Sequence, residues 1–167
     1  MNYIEPFWDD EYKHLKYHRE SYNYSPDIEK WKKQGYNHEH FTGEMCPHNE
    51  KQPSWNKTFI EWAETEHGLK DVGCCYYRMK TGIILPIHSD AYTLYKKKFN
   101  CEVDNIYRVL VFLEDWKSGH YLEFDGKPVV SWKAGNYAKW KGEVEHMAAN
   151  IGVEDRYTLQ ITGHKNG

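Results

Sequence analysis

Cysteine is scarce in this chain, and the little there is forms no framework. Cys46, Cys74, Cys75 and Cys101 show no disulfide spacing, which points to a reducing compartment. No apolar run approaches the length of a membrane span, and the first residues carry no basic-then-apolar leader. The expectation is a soluble, cytoplasmic protein with no membrane partner. An excess of one charge sign is also missing. The formal net charge is −3 with both signs interspersed, which argues against a nucleic-acid partner held by phosphate attraction. There are no internal repeats or low-complexity segments, and no P-loop, nucleophile elbow or CxxC motif.

What is abundant is aromatic. Tyr, Trp and Phe together make up 16% of 167 residues, with 14 Tyr and 7 Trp. Large amphipathic rings suit a β-rich sandwich with a polar-lined cavity. The length fits one domain. Residues 1–70 read as a helical and aromatic N-terminal support, and as a lid over an active-site mouth. Residues 26–34 read as a short helix with Ser25 as N-cap and Pro26 in the first position. Ser54 to His67 reads as an amphipathic helix with Phe59, Trp62 and Ala63 on one stripe and Gly68 as its stop.

From Asp71 onward the texture changes to short β-branched and aromatic runs separated by turns. Eight strand candidates follow: 72–79, 83–88, 106–113, 121–124, 128–132, 136–140, 144–149 and 157–162. Asp125-Gly126 reads as a tight hairpin turn. So many short strands without intervening helices predict a mainly β, antiparallel sandwich or barrel over 71–167.

His88-Ser89-Asp90 places an imidazole and a carboxylate two positions apart, so that on a strand of period two both face one side. His146 follows on another strand candidate, and Arg156 lies ten positions beyond it. Two imidazoles and one carboxylate form a facial triad that suits Fe(II) and leaves positions open. A structural zinc site would want a fourth protein ligand. Arg156, Thr158 and Gln160 would share one strand face, where a guanidinium grips a carboxylate bidentately. The alternative for Arg156 is a surface salt bridge with Glu154 or Asp155. Arg108 either contacts the carboxylate that binds the metal or caps a strand end. Tyr77 either donates its hydroxyl to a cosubstrate or belongs to the core.

Rival constellations are weaker. His38, His40, Cys46 and His48 lack the usual zinc-ligand gaps and read as a loop. Lys96-Lys97-Lys98 reads as a solvated loop, with attraction of an acidic substrate as the other reading. His120 and Glu123 fall on opposite strand faces.

Gly82, His88 and Asp90 are spaced as in the first cupin box. Gly135, Gly142, His146 and Asn150 resemble the second, without the proline expected between its glycines. The stretch from Tyr76 to Gly163 resembles the 2-oxoglutarate/Fe(II)-dependent dioxygenases, in particular the aspartyl/asparaginyl β-hydroxylase-like branch. The matching pieces are Gly82–His88, Arg108–Leu113, Trp132–Gly135 and Glu145–Leu159, about half of the chain and in the same order. The resemblance implies a double-stranded β-helix, jelly-roll or cupin-like, with the N-terminal helices packed outside. It implies His88 and His146 as ligands of Fe(II), with Asp90 completing the triad as in most of the wider superfamily, Arg156 as the arginine that holds 2-oxoglutarate, and Arg108 as an arginine that contacts the metal-side carboxylate; Tyr77 is the further candidate for a cosubstrate contact. It further implies hydroxylation of a small-molecule or peptide substrate by dioxygen; a monomer or homodimer is expected. Asp90 is a departure, because some members of that branch lack the acidic ligand. Two alternatives stay open: a cupin-type metalloenzyme that does not use 2-oxoglutarate, and a non-catalytic β-sandwich binding protein.

Overall fold

The computed structural model describes residues 1–19, 27–37 and 43–165. The expected N-cap Ser25 and Pro26, and the loop histidines His38 and His40, lie outside the described residues. Among the described residues, eleven strands and three α-helices follow in chain order: β1 (Asn2–Tyr3), β2 (His18–Arg19), α1 (Ile28–Lys33), β3 (Glu44–Cys46), α2 (Asn56–His67), β4 (Lys70–Met79) and β5 (Ile84–His88). After these come α3 (Thr93–Phe99), β6 (Ile106–Phe112), β7 (His120–Phe124), β8 (Lys127–Val129), β9 (Asn136–Lys141), β10 (His146–Asn150) and β11 (Arg156–His164).

The strands form two antiparallel sheets. The larger runs β1-β9-β6-β11-β4-β3-β2 and the smaller β5-β10-β7-β8. From β4 onward the chain passes back and forth between the sheets, and the order β9-β6-β11-β4 over β5-β10-β7-β8 is that of a double-stranded β-helix. The fold is mainly β, as the strand texture predicts. The Asp125-Gly126 turn joins β7 to β8 with both residues at positive φ (49° and 68°), the conformation a two-residue hairpin requires.

Two hydrophobic layers result from the period-two pattern. On β11, Leu159 and Ile161 point away from the small sheet and meet Phe59 and Ala63 of α2 in one core. Between the sheets, Leu110 and Phe112 of β6 meet Leu122, Trp132 and Ala148 in a second. The helix α2 ends as predicted, with Gly68 in the left-handed region at φ 61°. Ser54 does not cap it. Its backbone N–H and hydroxyl both donate to Glu11.

Three expectations change. Lys96, Lys97 and Lys98 are not in a loop but form the last turn of α3, where their charge complements the helix dipole. The helix is held in place by Tyr95, whose hydroxyl donates to the carbonyl of Asp71 at 3.0 Å. The strand expected over 128–132 stops at Val129, and Trp132 instead stacks on Phe112 between the sheets, centroids 4.1 Å apart. Arg108 lies inside β6, not at its start, so the strand-end reading does not apply.

Candidate metal centre

The small sheet carries the two histidines. His88 ends β5 and stands opposite His146, the first residue of β10. Each imidazole is oriented by the backbone two residues earlier: His88 Nδ1 bonds to the Pro86 carbonyl at 2.7 Å and His146 Nδ1 to the Val144 carbonyl at 2.8 Å. A ring whose Nδ1 carries the proton to a carbonyl presents a bare Nε2 lone pair, which is the ligand-ready tautomer. The two Nε2 atoms converge on Asp90, at 4.0 Å from His88 to Oδ1 and 3.9 Å from His146 to Oδ2. One ligand atom from each residue falls within 4.8 Å of the others, so His88, Asp90 and His146 form a cluster that could hold a metal ion.

The electrostatics hold His146 and Asp90 in the protonation states that metal binding requires. Burial, then the neighbouring His88, push the His146 imidazole down to about 4, so it is neutral at neutral pH. Burial works to raise the Asp90 carboxyl, but Arg108, His146 and His88 outweigh it and hold the group below the usual carboxylate range. Arg108 Nη2 sits 3.1 Å from Asp90 Oδ2. Its Nη1 donates to the Gln160 side-chain oxygen on β11. Arg108 thus grips Oδ2 of Asp90, the oxygen nearer His146, from the large sheet and leaves Oδ1 toward His88. The donor set, two neutral nitrogens and one anchored carboxylate, fits Fe(II) or a similar divalent ion and leaves coordination positions open.

A cavity of about 90 Å³ adjoins the cluster. Arg156, Thr158 and Gln160 line it from alternate positions of β11, together with Tyr77 of β4, on the face that the strand pattern predicts. Arg156 is buried and its Nη1 donates to the Tyr121 carbonyl of β7 at 2.8 Å, so it spans the two sheets and is no surface salt bridge. Leu110, Leu122 and Phe124 supply apolar walls. The cavity therefore has charge at both ends and grease between.

The segment leading to Arg156 is locked by a residue placed in the sequence pattern but given no role there. Asn150 is fully buried. Its Nδ2 donates to the Met79 and Glu154 carbonyls, both at 2.8 Å, and its Oδ1 accepts from the Gly152 N–H at 3.0 Å. A side-chain carbon on Gly152 would meet the Ser118 carbonyl at 2.0 Å. His120 reaches the same turn, bonding to the Glu154 carbonyl at 2.9 Å, while Glu123 takes the Tyr121 hydroxyl on the other face of β7. Of the rival zinc set, Cys46 is buried with its sulfur against the Lys51 carbonyl, and His48 borders a separate groove beside α3.

Sequence reading missed Gln160 as the partner of Arg108, and also Tyr92 and Trp140. Tyr92 is buried at a left-handed φ of 51°, with its ring 5.0 Å from the Arg108 guanidinium carbon. Trp140 stands directly opposite Arg108 in the β6–β9 ladder, its ring 5.4 Å from that of His146. Strand parity of β9 relative to β6 was the signal that could have found it.

No protein-family model matches the chain, and no curated protein sequence matches it. Among solved structures, it is similar to a predicted oxalate decarboxylase from Thermotoga maritima, with 14% identity, 92% of this chain and 96% of that chain covered, and a TM-score of 0.47. It is also similar to a cupin protein from Bacteroides fragilis (13% identity, 60% and 71% covered, TM-score 0.40) and to a cupin 2 conserved barrel domain protein from Salinispora arenicola (11%, 72% and 75%, TM-score 0.41). The fold assignment rests on the strand order of this chain, and the chain is a double-stranded β-helix with a candidate His-Asp-His metal centre.

Proposed function

We propose that the chain is an Fe(II)- and 2-oxoglutarate-dependent dioxygenase that hydroxylates a C–H bond of an amino acid, peptide side chain or small metabolite. The observation that carries this reading is the pairing within one cavity of the His88–Asp90–His146 cluster with a buried arginine, Arg156, at a separate position. The ion and cosubstrate, when bound, supply oxidative decarboxylation to succinate and CO2 coupled to insertion of one oxygen atom of dioxygen into the C–H bond.

The chain's own residues bind and orient. His88, Asp90 and His146 would hold the ion. Arg108 keeps Asp90 ionised and fixed. Arg156 offers its guanidinium to the distal carboxylate of 2-oxoglutarate, where burial strengthens a charge-assisted bond. Tyr77 and Thr158, on paired strands, flank that path. Phe124, Leu110 and Trp140 keep water from the cavity.

One observation favours the alternative, a cupin-type metalloenzyme that does not use 2-oxoglutarate: the bond from Arg156 Nη1 to the Tyr121 carbonyl gives that arginine a structural tie of its own. Succinate release from 2-oxoglutarate, with Fe(II) and a panel of amino acids and peptides, separates the two. The dioxygenase reading expects succinate from the wild type and its loss in Arg156→Ala. Metal-dependent turnover that ignores 2-oxoglutarate would favour the alternative.

A further inference from the structure

The strand that delivers His88 is not regular. Leu85 pairs with Ala148 and His88 with His146, so Pro86 and Ile87 together oppose the single residue Met147. This is a β-bulge, and it changes which way His88 points. A regular strand would put His88 on the face of Pro86 and Ile84, away from Leu85. With the extra residue, Leu85 and His88 both line the cavity.

A bulge takes backbone groups out of the ladder, and they need other partners. Both bulge carbonyls find ring N–H groups here. The Pro86 carbonyl accepts from His88 Nδ1 itself. The Ile87 carbonyl accepts from the indole Nε1 of Trp31 at 3.1 Å. Trp31 lies in α1 and is wholly buried. Its ring meets the His88 imidazole edge to face, with centroids 5.9 Å apart and planes at 89°. Ile28 and Trp31 of α1, with Tyr36 just beyond it, pack on Leu85 of β5, which joins this small cluster to the core between the sheets.

We infer that Trp31 is a positioning residue for the metal centre: its N–H pins the bulge that turns His88 inward, and its ring edge sets the imidazole plane. The inference rests on reading His88 as a metal ligand. It gives residues 27–37, which matched no motif, a part in building the site. Partners that orient a ligating histidine from behind change metal affinity when removed, typically by about 10–100-fold.

Co(II), whose visible absorption reports coordination geometry, is the probe, applied to the full chain by chelator competition. Trp31→Phe keeps a ring and loses the N–H; Trp31→Ala loses both. The expected result is Co(II) binding weakened about tenfold in Trp31→Phe and about 100-fold in Trp31→Ala, with an altered visible band in each and an unchanged thermal unfolding midpoint of metal-free Trp31→Phe. Should Trp31→Ala fail to fold, the Phe variant decides. Wild-type affinity and band in Trp31→Phe would overturn the inference. His88→Ala serves as the reference: if it binds Co(II) as the wild type does, the metal reading itself is overturned, and the inference with it.

Discussion

His88 and His146 face each other across the β5–β10 ladder with their ring centroids 4.3 Å apart. Two imidazoles at this separation, both with Nδ1 tied to a backbone carbonyl, gain from an ion between them. The burial that keeps His146 neutral costs nothing extra when a cation arrives, because no proton has to leave first.

Arg156→Lys tests the anion grip without removing charge. Lysine has no planar fork and its ammonium reaches a different point. The expected outcome is a KM for 2-oxoglutarate raised by about tenfold or more, the size of one lost charge-assisted hydrogen bond. The kcat would change far less. An unchanged KM in succinate-release assays would remove Arg156 from the cosubstrate site.

Asn150→Ala should lower stability by roughly 3 kcal/mol, since it strips partners from two carbonyls and one N–H in a fully buried place. For a chain of this size the melting midpoint would fall by about 6–12 °C. Urea denaturation of the metal-free protein measures it. A loss below about 0.5 kcal/mol would mean that water or a shifted backbone replaces all three bonds.

The two glycines Gly152 and Gly73 should respond unequally to the same substitution. Gly152→Ala forces a carbon against the Ser118 carbonyl, and a destabilisation above about 2 kcal/mol is expected. Gly73→Ala meets nothing within 4 Å and should stay within about 0.5 kcal/mol of wild type. Equal effects would refute the close approach of the 115–119 and 150–155 segments.

His120 gives a pH dependence of definite sign. Burial holds its imidazole below the ordinary histidine range, against the opposing bond to the Glu154 carbonyl. The unfolded chain takes up that proton as pH falls through about 6.5, while the folded chain resists. Its contribution to stability is therefore full above that pH and declines below it. In urea titrations, the stability gap between wild type and His120→Gln should narrow from pH 7.5 to pH 5.5. A gap that widens contradicts the shift.

The residues that the sequence marked were those whose chemistry is local in the chain. His88 and Asp90 are two positions apart, and Arg156 is tied to His146 by one turn and one strand start, so spacing predicted their convergence. Strand alternation on β11 placed Arg156, Thr158 and Gln160 on the cavity side. The bulge at Pro86–Ile87 was invisible, because an apolar run reads alike with or without an extra residue. Trp31 was equally hidden: a tryptophan in a short helix looks like any core anchor until its partner carbonyl, 56 positions away, is known. The helix α3 escaped because its position depends on the tertiary bonds of Tyr95, not on its own propensity. The strands β1 and β2 are two residues each and exist only as pairings with β9 and β3.

The histidines belong to one sheet and the arginines to the other, with Phe112, Leu122, Trp132 and Ala148 filling the space between. Facing sheets lie about 10 Å apart, and these apolar side chains fix that gap. On the proposed reading, an acid stretched from ion to guanidinium would be measured against the thickness of that apolar filling. Chain-length preference would then be inherited from residues that never touch a charge, and a bulkier or slimmer neighbour of Ala148 would recalibrate it while every polar group stayed the same.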